Sequence, residues 1–199
     1  MKNSVSRYLK NDVFNKGYFE APVSDLMNFK YGKDFCSICK QAKFKFITPP
    51  FGDCSIICLD CLLTTNIKFS HDSEYGIVIL ENLPPELLED IGDVKNHVSE
   101  KCINDLLLTP EFSNIQGGRW LGHCNDFMVF KGIWEPVDFT EKSEDKNGKK
   151  LFLEMTSKEQ AHLWDECELN DNETEYSWED IQYYTFECRH CGKLRGYWE

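Results

Sequence analysis

The chain has 199 residues, 41% of them hydrophobic and 14% aromatic, and a net charge of −12 at pH 7. That apolar content excludes wholesale disorder and is enough for a core. No apolar run approaches the ~20 residues that span a bilayer, and residues 1–14 lack the apolar stretch of a secretory signal. A cytoplasmic protein away from membranes is therefore expected.

Residues 7–31 are aromatic and turn-rich, which predicts loops and short strands. Lys43-Phe44-Lys45-Phe46-Ile47 alternates polar and apolar, the pattern of a half-buried strand. A turn is expected over 48–53, a returning strand over 54–57 and a helix over 58–69. Pro84-Pro85 opens a short helix to about residue 91. A second helix spans 99–108, capped by Ser99, with Cys102, Ile103, Leu106 and Leu107 as its apolar stripe, and Thr109-Pro110 stops it. Residues 142–150 (KSEDKNGKK) read as a mobile loop, and 156–166 as a helix. The chain closes with strands at 183–187 and 194–198 around a third CxxC.

Ten cysteines are many for a reducing compartment, where paired cysteines point to metal or redox chemistry. Cys36-Ser-Ile-Cys39 and Cys58-Leu-Asp-Cys61 are eighteen residues apart. Two CxxC turns supply the tetrahedral thiolate set that zinc prefers. The order of knuckle, hairpin and helix start is that of a treble-clef zinc finger. The third pair, Cys188-Arg-His-Cys191, is followed by Gly192, which suits a knuckle turn. It needs two more ligands, and the candidates are His123, Cys124 and His190. Cys54, Cys102 and Cys167 read as packing residues. The fold class expected is α+β, one compact domain with a treble-clef-like zinc hairpin in a 1–80 subregion. An 81–199 subregion carries a C-terminal zinc-knuckle-like hairpin.

The segment Arg119-Trp-Leu-Gly-His-Cys-Asn-Asp126 places a cysteine beside a histidine, with an acid close by. A nucleophilic role for His123, Cys124 and Asp126 is one reading. Against it, neighbours on a strand point to opposite faces. The plainer expectation is a buried turn with Trp120 and Phe130 in the core.

Taken together, the three CxxC pairs, Thr109-Pro110-x-Phe112, Gln116-xxx-Trp120-Leu121-x-His123-Cys124-x-Asp126 and Tyr184-x-Phe186-x-Cys188-xx-Cys191-Gly192-Lys193 resemble the bacterial CbrC family, which is named for colicin tolerance. The likeness runs from Cys36 to Trp198. It implies a role in protection against a toxin, such as a colicin-like nuclease with a basic cleft. The acidic charge fits such a partner. Asp165, Glu166, Glu168, Asp171, Glu173 and Glu175 are the expected partner-binding residues. A metal- or cysteine-dependent enzyme and a structural zinc module of a larger complex are the alternatives. Nucleic acid ranks last, because Lys40, Lys43 and Lys45 cluster without forming a sustained patch.

Overall fold

The computed structural model describes residues 11–49, 55–79, 94–168 and 181–199. Its organising element is a five-stranded sheet in the order β1 (Val13–Lys16), β2 (Phe19–Pro22), β11 (Val129–Trp134), β12 (Tyr183–Glu187) and β13 (Leu194–Trp198). Strands β2 and β11 are parallel, and the other neighbours are antiparallel. Strand β12 is buried on both faces, as expected for an interior strand covered from two sides. Its side chains alternate: Tyr184 and Phe186 enter one apolar cluster, and Tyr183 enters another.

Strand β11 serves both clusters through a bulge. Phe130 pairs with Phe186 and Trp134 with Tyr183, and the register shifts between Phe130 and Gly132. One extra residue moves every later side chain to the opposite face. The larger cluster stacks Phe112, Trp120, Phe130 and Phe186 ring against ring, with centroids 4.4–5.8 Å apart for the Phe112–Phe130 and Trp120–Phe186 pairs. Each such pair contributes about 0.5–1.5 kcal/mol beyond its buried area. The smaller cluster lies under three helices, α4 (Pro136–Lys142), α5 (Gly148–Met155) and α6 (Leu163–Glu168), where Phe139, Phe152 and Trp164 meet Tyr183 and Trp198.

The metal-ligand candidates sit on smaller sheets. Strands β3 (Phe29–Phe35), β4 (Ala42–Ile47) and β5 (Ile57–Cys58) form one, leading into α1 (Leu59–Thr64). Strands β6 (His71–Ser73), β7 (Gly76–Val78) and β8 (Arg119–Trp120) form another, and β9 (Gly122–His123) with β10 (Asp126–Phe127) a third. The other α-helices among the described residues are α2 (Val94–His97) and α3 (Glu100–Leu107). Ser99 caps α3 as expected, its Oγ accepting from the Cys102 N–H at 3.3 Å.

Four local expectations change. The helix over 58–69 stops at Thr64, because Thr64 and Thr65 hydroxyls donate to the Asp60 and Cys61 carbonyls and close the last turn. Of the 142–150 stretch, residues 143–147 form a hydrogen-bonded turn and 148–150 begin α5. Asn147 caps α5 by accepting from the Lys150 N–H at 3.0 Å, and Ser143 Oγ donates to Asp145 at 2.6 Å. The helix expected over 156–166 is instead a 3-10 turn at Lys158–Gln160 followed by α6, which starts at Leu163. Phe44 shares a strand face with buried Phe46 yet is 55% exposed, because the far end of the β3–β4 hairpin projects past the core. The predicted helix over 84–91 lies outside the described residues, as does Cys54.

A buried histidine, His71, and a half-buried acid, Glu111, flank one cavity of about 310 Å³. Trp120 Nε1–H donates to His71 Nδ1 at 3.0 Å, so Nε2 carries the hydrogen that reaches Thr109 O at 3.0 Å. Burial holds the His71 pKa down to about 4 and pushes Glu111 up to about 7. Glu111 then favours folding below its unfolded pKa near 4.5, and that gain is lost as pH rises through 7. His71 works the other way, costing stability as pH falls below 6.5. Glu111→Gln is therefore expected to raise Tm at pH 8 by about 2–4 °C and to bring no gain at pH 4.5. Melting curves of variant and parent at both pH values check this, and an equal shift at both would refute it.

Candidate metal centres

The first centre is assembled by the β3–β4–β5 sheet. Its knuckle is closed by two backbone hydrogen bonds, Cys36 N–H to Gln41 O at 3.0 Å and Lys40 N–H to Cys36 O at 2.9 Å. Lys40 takes the left-handed conformation, φ 59°, that the turn requires. Cys58 ends β5 and caps α1, and Cys61 follows on the helix. The thiol sulfurs of Cys36, Cys39, Cys58 and Cys61 all lie within 4.8 Å of one another. Three of the four are buried.

The four sulfurs are close enough to influence one another's protonation. Burial disfavours the Cys36 thiolate, but N–H donors including Cys58 and Ile38, each 3.4 Å from its sulfur, outweigh it and pull its pKa to about 6. Burial and the neighbouring sulfurs then push Cys61 up to about 12. A divalent ion would hold all four as thiolates.

The second centre joins two hairpins. One is the β12–β13 knuckle, closed by Cys188 N–H to Lys193 O and Gly192 N–H to Cys188 O, each 2.9 Å. These bonds reproduce those of the first knuckle, with Gly192 at φ 70° in the place of Lys40. The other is the β9–β10 hairpin, whose two-residue loop, Cys124-Asn125, has φ 52° and 56°, positive at both positions as in a type I′ turn. His123 is the last strand residue and Cys124 the first turn residue. The strand rule that sets neighbours on opposite faces thus does not apply, and both face the knuckle. His123 Nδ1 lies 3.2 Å from Cys124 Sγ and 3.4 Å from Cys191 Sγ, and the two sulfurs are 3.9 Å apart. With Cys188 they form a second set of four donors within 4.8 Å.

Cys188 follows Cys36: burial opposes its thiolate, while His123 and the N–H groups of His190 and Cys191 bring its pKa to about 6. Cys124 is pushed up to about 11 by desolvation and the nearby sulfurs.

A family model described as Uncharacterised protein family (UPF0167) matches residues 15–199. The chain belongs to this family. Both donor sets and all three CxxC pairs lie inside the matched span. No solved structure matches the chain.

His190, the other candidate ligand, is committed elsewhere. Its Nε2 meets Asp126 Oδ2 at 2.9 Å. Asp126 is buried and also accepts from Tyr18 OH at 2.5 Å and from the Phe127 N–H at 2.8 Å. Burial opposes its charge, but Tyr18, Cys102, His190 and Arg189 together hold its pKa below the ordinary carboxylate value. Arg189 lies over the Tyr18 ring at 4.0 Å and reaches Gly17 O at 3.3 Å. One acid thus fixes both inner residues of the third CxxC. A second clamp holds the other hairpin: Arg195 forms a bidentate pair with Glu74, 2.8 and 2.9 Å, and donates to Gly122 O.

Asp165 and Glu166 are exposed on α6, and Asp165 pairs with Lys149. The side chains of Cys167 and Glu168, and all of Asp171, Glu173 and Glu175, lie outside the described residues. Cys102 is half-buried beside Tyr18 and Asp126. Spacing alone could not find the roles of Asp126 and Arg195, which come from separate strands. No helix among the described residues is long and apolar enough to cross a membrane.

Proposed function

We propose that the protein binds two structural zinc ions and uses the scaffold they fix to present a surface to a protein partner. The carrying observation is that each cluster offers four converging donors, Cys₄ in one and Cys₃His in the other. Zinc with Zn–S near 2.3 Å sets tetrahedral sulfurs about 3.8 Å apart. The Cys39–Cys58 and Cys124–Cys191 separations are both 3.9 Å. Four protein donors leave no open position for substrate, which favours a structural over a catalytic metal. The first centre has the treble-clef order of knuckle, hairpin and helix. The free thiols of the described residues suit a reducing cytoplasm.

The test is metal analysis of the purified chain. Two zinc ions are expected per chain, falling to one in Cys191→Ser. A metal-free, folded protein would end the reading. The enzyme reading for His123, Cys124 and Asp126 is weakened by geometry, since Asp126 is turned to Tyr18 and His190.

For the partner we adopt what the CbrC resemblance implies, a basic toxin domain met by an acidic surface. The net charge of −12 supports it. Tight binding of a cognate toxin that survives Asp165→Lys with Glu166→Lys would remove those two residues from the contact.

A further inference from the structure

Between residues 29 and 45 the chain carries five lysines against the single acid Asp34, although its net charge is −12. Two of the five are paired, Lys43 with Asp60 at 2.7 Å and Lys45 with Asp12. Lys30, Lys33 and Lys40 are exposed and have no ion pair among the described residues. The same hairpin displays aromatic rings to solvent: Tyr31 is 58% exposed, Phe35 67% and Phe44 55%. Phe35 lies opposite Ala42 and Lys30 opposite Phe46. Directly opposed residues share a face, and so do residues two apart on one strand. Phe35, Phe44 and Lys30 therefore point to one side of the ribbon. Lys33 stands in the bulge of β3, and Lys40 on the adjoining knuckle.

We infer that this face of the first metal module binds single-stranded nucleic acid. Phe35 and Phe44 would be stacking platforms for unpaired bases, and Lys30, Lys33 and Lys40 would contact phosphates. Aromatic side chains on an open β-face flanked by cations are the general solution for holding unstacked bases, and each stacked ring is worth about tenfold or more in affinity. Duplex bases are not open to such stacking. An acidic protein segment would meet the same lysines, but two open rings on one face favour planar ligands. The acidic remainder of the chain repels a polyanion, yet charges beyond about 8 Å are screened at physiological salt. That confines contact to the hairpin. The sequence ranking that placed nucleic acid last rested on the acidic net charge and the lack of a sustained basic patch, without the exposure of these rings.

The inference rests on the first metal centre being formed, so metal content is measured on every sample. A short fluorescein-labelled oligothymidylate is titrated with the metal-loaded full chain and followed by anisotropy. Binding is expected, with log affinity falling against log salt at a slope of about −2 for three phosphate contacts on a single strand. Phe35→Ser with Phe44→Ser should weaken it about a hundredfold. Lys30→Glu, Lys33→Glu and Lys40→Glu together should abolish it. These positions are exposed, so the variants should keep their metal. Full metal content without oligonucleotide binding overturns the inference while leaving the zinc reading intact. Binding that neither variant set changes overturns it too, because the site would then lie elsewhere. Loss of metal in the parent chain is the separate failure of the zinc reading.

Discussion

Cys58→Ala is expected to lower the metal content from two ions to one and to unfold the β3–β4 hairpin while the five-stranded sheet stays folded. Cys58 supplies one of the four converging thiols, and alanine would keep only its main-chain roles: pairing with Phe46 at the end of β5, starting α1, and donating its N–H to Cys36 Sγ at 3.4 Å. Phe46 and Ile47 anchor the inner end of the hairpin in the core, but its outer end has little else to hold it. From Lys30 to Phe35 every residue of β3 is exposed, and β5 contributes two residues. A two-stranded hairpin is marginal in water by itself. Structural zinc sites supply apparent binding free energies of about 10–16 kcal/mol, which become folding free energy where no preformed site exists. The central sheet has its own aromatic core and does not depend on that term. Hydrogen exchange separates the two regions. Amides of β4 should lose protection in Cys58→Ala and under a strong chelator, while those of β11 and β12 keep theirs. Full protection of β4 in the metal-depleted protein would show that the centre does not hold the hairpin.

How far the residues alone revealed this arrangement depends on the range of the interaction. The first centre was readable because a CxxC turn is local and its spacing carries the geometry. The last two strands were readable as short aromatic-rich segments on either side of a knuckle. The second centre was half-readable. Its cysteine pair was plain, but the choice among His123, Cys124 and His190 needed the type I′ turn that swings Cys124 beside His123. It also needed the carboxylate that takes His190 away. Helix ends misled where side chains compete with the backbone, as at Thr64 and Thr65, and the run of charges at 142–150 concealed a capped turn. Phe44 shows the limit of pattern reading. Alternation identifies the face a residue shares, but whether that face is covered depends on how far the strand extends beyond its neighbours.

Asp126 gives the second large effect, because it ties the β9–β10 hairpin, the β1–β2 turn and the third CxxC together without being a ligand. Its carboxylate takes the Tyr18 hydroxyl on one oxygen and His190 on the other, with Arg189 Nε 3.8 Å away. Partners outside a metal's ligands that fix ligand-bearing loops typically change metal affinity by 10–100-fold when removed. Asp126→Ala is therefore expected to weaken metal binding at the second centre by about that factor and leave the first centre unchanged. It should also cost about 3 kcal/mol of stability, since the buried Tyr18 hydroxyl loses its acceptor and Arg189 loses its counter-charge. Asp126→Asn keeps the shape and one acceptor oxygen, so its stability loss should be smaller, while its metal affinity still falls because the amide faces His190 with a donor. Chelator competition resolves the two centres by affinity, and cobalt substitution distinguishes Cys₃His from Cys₄ by its visible spectrum. A merely structural role predicts lower stability with the affinity of the folded second centre unchanged. Equal weakening of both centres would likewise remove Asp126 from the part assigned to it, because the effect would then be global unfolding rather than positioning of Cys188 and Cys191.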